Sequence, residues 1–174
     1  PVPLIMTGPA SSRGYFEQID EFIGETLGAD AQGRYTIIID DPESVGRRMR
    51  EGLDQVRALR REHGDAYYFN RRLKIDHEFQ KPFTATHESM RSLEIGEGMP
   101  THALAANLRR AFSGIVSGNV RDDTIANIER DGPFEIQASG RYMALLDRLL
   151  ASFVSQGRMK LARESYEPCY RVVA

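Results

Sequence analysis

Two groups of side chains in this sequence are of types that do chemistry. The first is Thr7-Gly8-Pro9, which closes an apolar run and is followed by Ser11, Ser12 and Tyr15. If the run is a strand of an open parallel sheet, its carboxyl end borders the crevice where ligands lie. A small hydroxyl, a glycine and a helix N-terminus there suit a phosphate or a ribose; the same residues would also serve as a tight turn and a helix cap. The second group is basic and aromatic. Arg57, Arg60 and Arg61 precede "DAYYFNRRLKI", residues 65–75. Arginine forks onto phosphate and stacks on aromatic planes, and tyrosine offers both a face and a hydroxyl. Side chains alternate along a strand, so Tyr67 and Tyr68 point to opposite faces and at most one of them joins Arg60 and Arg61. The alternative is a solvated charged surface. Asp40 and Asp41 end a second apolar run; Asp41 is explained as a cap before Pro42, which leaves Asp40 as the acid of interest.

Other chemistries find no support in residue spacing. The histidines at 63, 77, 87 and 102 form no i, i+4 pair and no HExxH, and no cysteine pairing accompanies them. No serine stands in a G-x-S-x-G elbow, and Cys169, the only cysteine, has no evident activating neighbour. No metal or cofactor is expected, and no complete catalytic set lies within the chain. A net charge of −2 gives no bulk attraction to nucleic acid or membranes. A lone cysteine excludes an internal disulfide framework and fits a reducing cytoplasm. No apolar run approaches the length of a membrane span. The chain starts at Pro1 and enters an apolar strand at once, which reads as a piece of something longer.

The elements that must position these residues follow from periodicity. "PLIMTGP" and "RYTIIIDD" are short continuous apolar runs, as expected of strands buried on both faces. Between them Phe16, Ile19, Phe22, Ile23 and Leu27 recur at helical spacing, with Ser12 expected as N-cap and Gly28 as the stop. Asp41, Pro42 and Glu43 start another helix, whose apolar stripe is Val45, Met49, Leu53, Val56 and Leu59. Strand, helix, strand, helix predicts a parallel βαβα unit, and two strands are too few for a Rossmann-like sheet. From residue 64 the pattern changes: a strand at "AYYFNRRLKI", a turn-rich connector "DHEFQKPFTATHESM", and a helix at "PTHALAANLRRAFSGIVSGNV". A short helix at "DDTIANIERDG", a strand at "PFEIQAS", a helix at "GRYMALLDRLLASFVSQGRM" and a final strand or tail follow. The fold class expected is α/β: residues 1–62 as the terminal βαβα part of a Rossmann-like parallel sheet, and residues 63–174 as an α+β accessory domain.

"PLIMTGPASSRGYFEQIDEFIGETLG", "YTIIIDDPESV", "RREHGDAYYFN", "LAANLRRAFSGIVSGNV" and "YEPCY" together resemble the C-terminal part of bacterial pyrimidine/purine nucleotide 5′-monophosphate nucleosidases. These belong to the LOG-type, formerly lysine decarboxylase-like, Rossmann superfamily, and the resemblance runs over essentially the whole chain. It implies hydrolysis of the N-glycosidic bond of purine and pyrimidine nucleoside monophosphates to free base and ribose 5-phosphate. It also implies activation by the guanosine alarmones ppGpp and pppGpp. On this basis Thr7, Gly8 and Tyr15 are expected to bind substrate, and Arg60, Arg61, Tyr67 and Asn70 the alarmone. The family's PGGxGTxxE-type motif, with its catalytic glutamate, is absent from these residues and is expected upstream of "PVPLIMTG". No catalytic residue is therefore expected in this chain. A cytoplasmic homo-oligomer is expected, with neither membrane nor nucleic acid as a partner. A non-catalytic nucleotide-sensing or oligomerisation module is the alternative.

Overall fold

Residues 5–8 and 36–39 are short, mostly apolar runs bounded by turn residues, as suits strands, and a parallel pairing between them requires a crossover connection. In the computed structural model, which describes residues 3–64, 81–162 and 165–173, β1 (Ile5–Gly8) pairs in parallel with β2 (Thr36–Ile39). Ile5 lies opposite Thr36 and Gly8 opposite Ile39. The crossover contains α1 (Arg13–Leu27) and the single turn α2 (Ala29–Gln32). Gly28 ends α1 at φ 82°, where its N–H reaches back to the carbonyls of Ile23 and Gly24; a side chain would be strained at that angle. Helix α3 (Pro42–His63) follows β2, with Asp41 accepting the Ser44 N–H at 2.9 Å and Pro42 in the first turn.

One local expectation is corrected. Ser12 is not a side-chain N-cap. Residues Ala10–Ser12 form a 3-10 turn, and Ser12 has φ −90° and ψ −1°. Its backbone is already helical, so its hydroxyl makes no cap hydrogen bond. Among the described residues β1 and β2 form a two-stranded sheet, half-buried along most of its length within this chain. Along α3, Met49 and Leu53 of the apolar stripe are 49% and 48% exposed, and Leu4 is 60% exposed.

The second sheet has β4 (Phe134–Ala138) between β3 (Glu94–Ile95) and β5 (Tyr170–Val173), all parallel. Each strand-to-strand passage is therefore helical: α5 (Thr101–Val120) and α6 (Asp122–Asp131) lead from β3 to β4, and α7 (Gly140–Ser155) from β4 to β5. The segment expected to be only connector contains α4 (His87–Arg91), started by a capping box in which Thr86 and Ser89 each satisfy the other's N–H. The strand expected at "AYYFNRRLKI" lies outside the described residues. The core is Met90, Ile95, Ala111, Ile115, Phe134, Ile136, Leu146 and Leu150, each essentially inaccessible to water.

Helix α5 approaches the chain before β5 through a glycine. A Cβ built on Gly118 would lie 2.5 Å from Cys169 Sγ and 2.8 Å from Ile128 Cδ1. Cys169 sits in a segment tied down on both sides, since the Asn119 side chain receives the Glu167 N–H and Cys169 O receives the Phe134 N–H. The neighbours have little room to give. Gly118→Ala is expected to cost about 1–3 kcal/mol through overpacking, despite alanine's better helix propensity. A urea titration with an unchanged midpoint would show that the contact is softer than the geometry indicates.

Helices α1 and α7 bring the two sheets' modules together. Arg141 donates to Glu25 at 2.9 Å and Arg148 pairs with Glu21 at 3.0 Å. All four side chains are about half exposed, so each pair adds little stability. What they supply is registry between the helices.

Candidate functional site

The carboxyl ends of β1 and β2 border an open cavity of about 270 Å³, lined by Thr7, Gly8, Pro9, Asp40, Asp41, Pro42 and Val45. Its floor is held by the Asp40 N–H, which donates to Gly8 O at 2.9 Å. Asp40 has φ 60°, the only left-handed backbone among the described non-glycine residues. Aspartate tolerates that region better than most side chains, yet the conformation is still strained and is held by the turn around it. Thr7 is exposed at the mouth.

The two helix starts at this crevice differ in charge. The start of α3 is already occupied by the chain's own carboxylate. The Ser44 side chain and then its backbone N–H, with Arg47 beyond, hold the Asp41 carboxyl below the usual aspartate range. The helical run that begins at Ala10 carries no acidic residue in its first turns. An anion in the crevice is therefore favoured on the β1 side and repelled on the α3 side.

Thr7 and Gly8 line this cavity; Tyr15 does not. The Tyr15 ring is packed behind the turn, with its centroid 4.9 Å from that of Phe153 and 5.1 Å from that of Phe16. Arg60 and Arg61 lie in the last turn of α3, beside His63 and just before Gly64 at φ 88°. At 1.5 Å per residue they stand roughly 30 Å from the crevice at the other end of that helix. Arg57 is committed to Asp54 at 3.3 Å. Tyr67 and Asn70 lie outside the described residues.

Residue spacing gave no sign of a second and larger cavity, of about 540 Å³, lined by His87, Glu88, Arg91, Asp131, Gly132, Pro133, Glu135 and Arg171. Its charges answer one another. Glu135 accepts from Arg171 and pairs with Arg91 at 3.3 Å, and these cations, Arg171 first, pull its carboxyl below the usual range. Asp131 is held by Arg130, and His87 Nε2 lies 2.8 Å from Gly132 O. This cavity opens at the amino end of β4, the edge of a parallel sheet opposite to the one where ligands sit. The smaller crevice is the better candidate. Among the described residues no group of three or more His, Cys, Asp or Glu side chains is placed to hold a metal ion. Nor is any described helix long and apolar enough to cross a membrane.

Comparison with known proteins bears on the same residues. The family model "Pyrimidine/purine nucleotide monophosphate nucleosidase, C-terminal" matches residues 53–173. The chain is 46% identical over 171 residues to the pyrimidine/purine nucleotide 5′-monophosphate nucleosidase of Escherichia coli K12, and equally so to that of Escherichia coli O157:H7. The match covers 98% of this chain and 38% of each relative, so the chain spans well under half the length of these curated relatives.

Proposed function

Because this chain belongs to the family of pyrimidine/purine nucleotide monophosphate nucleosidase C-terminal domains, we infer that it works as part of an enzyme cleaving the N-glycosidic bond of nucleoside monophosphates to free base and ribose 5-phosphate. The 46% identity across nearly the whole chain carries this reading. The crevice at the ends of β1 and β2 is its substrate-facing part: Thr7 and Gly8 meet the ribose phosphate, and Tyr15 backs the turn that presents them. The chemistry asks for a carboxylate that stabilises an oxocarbenium-like state and activates water. Its source is the PGGxGTxxE-type motif, which these 174 residues do not contain. In the same reading residues 1–62 are the end of the LOG-type domain and residues 63–174 the accessory domain of a cytoplasmic homo-oligomer. A guanosine alarmone activates the enzyme through Arg60 and Arg61, with Tyr67 and Asn70 as its further expected contacts. The remoteness of these arginines from the crevice suits an effector site distinct from the substrate site. The missing motif is what favours the other reading, a nucleotide-sensing or oligomerisation module without catalysis of its own.

The two readings separate in one assay. The full-length protein is expected to release free base from AMP or GMP, and the isolated 174-residue chain to release none. In the full-length protein Thr7→Val, which removes a hydroxyl facing a charged phosphate, is expected to raise KM roughly tenfold with kcat nearly kept. A full-length protein that binds nucleotides without cleaving them would establish the sensing module instead. Base release by the isolated chain at rates near the full-length protein's would overturn the assignment of the catalytic carboxylate.

A further inference from the structure

The geometry points to Arg158 as a positioning residue through which the accessory module sets the shape of the β1 turn, and with it the mouth of the crevice. The inference rests on reading that crevice as the site of the nucleoside monophosphate.

Arg158 follows α7, and its backbone is fixed before its side chain is considered. Gly157 has φ 67°, its N–H donates to Val154 O at 2.9 Å, and the Arg158 N–H donates to Phe153 O at 2.7 Å. This is the paired hydrogen-bond pattern of a Schellman stop. From this anchored position the guanidinium reaches across to the other module. Its Nη2 donates to Ser12 Oγ at 2.7 Å, and its carbon stands 5.1 Å over the Tyr15 ring. The stacked ring leans in turn on Phe153, the residue whose carbonyl holds the Arg158 N–H.

Ser12 is the point of delivery. It is 3% exposed, and its hydroxyl, unused as a helix cap, accepts from Arg158. Ser12 Cβ and Oγ each lie 3.0 Å from where a Cβ on Gly8 would stand. Gly8 in turn holds Asp40 through its carbonyl, at 2.9 Å. Ser12 is also tied to the turn by its N–H, which donates to Pro9 O at 2.8 Å, so a displacement of Ser12 is passed to Pro9, along the chain to Gly8, and across the crevice floor to Asp40 by a hydrogen bond. A buried residue held by hydrogen bonds on both sides transmits position because a close-packed surrounding leaves it little room to relax. Arg158 is not itself among the residues lining the crevice and is exposed, so its truncation leaves no hole in the core.

The test compares Arg158→Ala, Arg158→Lys and Ser12→Ala by amide hydrogen exchange and by steady-state kinetics with AMP, both on the full-length protein. Arg158→Ala and Ser12→Ala are expected to speed exchange of the Asp40 amide, and Arg158→Ala that of the Ser12 amide as well, roughly tenfold, the scale of one lost charge-assisted hydrogen bond, while the Ile136 amide in the core is unchanged. Arg158→Lys, which keeps a donor but not the stacking plane, should recover part of the protection. In the full-length protein both alanine variants should raise KM severalfold with kcat within about twofold. Unchanged Asp40 exchange in both alanine variants, with unchanged Ser12 exchange in Arg158→Ala, overturns the positioning role, whatever the kinetics. Faster exchange with an unchanged KM upholds the positioning role and removes the crevice as the substrate site.

Discussion

Replacing Phe134 by alanine is expected to lower the free energy of unfolding by about 3–5 kcal/mol, the range for emptying a large aromatic site in a closed core. Phe134 opens β4, the middle strand of its sheet, and is wholly inaccessible to water. Its ring meets the His87 ring edge-on at 5.0 Å, and its N–H closes the ladder on Cys169 O. Strands on both sides keep the site from collapsing, which places the cost in the upper part of that range. Domains have only about 5–15 kcal/mol in total, so the loss is a large fraction of the stability available. The measurement is a urea titration read by circular dichroism, with the midpoint falling sharply at an unchanged slope. A loss below about 1 kcal/mol would mean that the second sheet is not the centre of stability. Phe134→Leu, which refills most of the volume, should recover the larger share.

The second large effect is expected at Asp147. One carboxylate on α7 accepts two phenols: Tyr166 donates to Oδ1 at 2.5 Å and Tyr170 to Oδ2 at 2.7 Å. These bonds tie the segment carrying β5 to the helix that precedes it. Asp147→Ala leaves two partly buried hydroxyls without their acceptor and should cost about 2–3 kcal/mol, with Asp147→Asn, which retains one acceptor oxygen, in between. The same cluster imposes a pH signature. Burial first, then the hydrogen bond and charge of Asp147, push both phenols well above the ordinary tyrosine value. Burial and Asp20 do the same to Tyr35, whose hydroxyl donates at 2.6 Å. A raised value means that the unfolded chain loses these protons before the folded one does. The stabilisation is therefore whole below the unfolded value, near pH 10, and declines above it, by up to about 1.4 kcal/mol per pH unit for each tyrosine. Stability followed from about pH 9 to 11 should be flat and then fall, and Asp147→Ala should flatten the fall. A wild-type profile that stays level throughout would show that the phenols titrate freely.

The helices were legible in the residues because they are long and periodic. Gly28, Asp41 and Pro42 mark their ends at the positions found, and the strands at β1 and β2 follow from isoleucine-rich runs between turns. Shorter elements were not legible. Five residues of α4 and two of β3 carry no period, and both depend on β4, which lies some forty residues further along the chain. Ser12 misled for a related reason. Its type suits a cap, but Pro9 starts the helical run early and Arg158, 146 positions away, claims the hydroxyl. At the candidate site Thr7 and Gly8 could be read from their place at a strand end. Asp40's strained backbone and the neutralised start of α3 could not, because both arise from how the two turns face each other across the sheet.

The contacts between α1 and α7 also bear on the order in which the chain assembles. Arg141 and Glu25 are 116 positions apart, and Arg158 and Ser12 are 146 apart, whereas β4 and β5 close on each other across a single helix. Ring closure over such lengths is entropically unfavourable until both partners are already formed. Joining of the two modules is thus expected to come late in folding, and substitutions at Glu25 or Arg141 are expected to speed unfolding while leaving the folding rate nearly unchanged. On that expectation the crevice mouth that Arg158 braces takes its final shape after the core around Phe134 has formed.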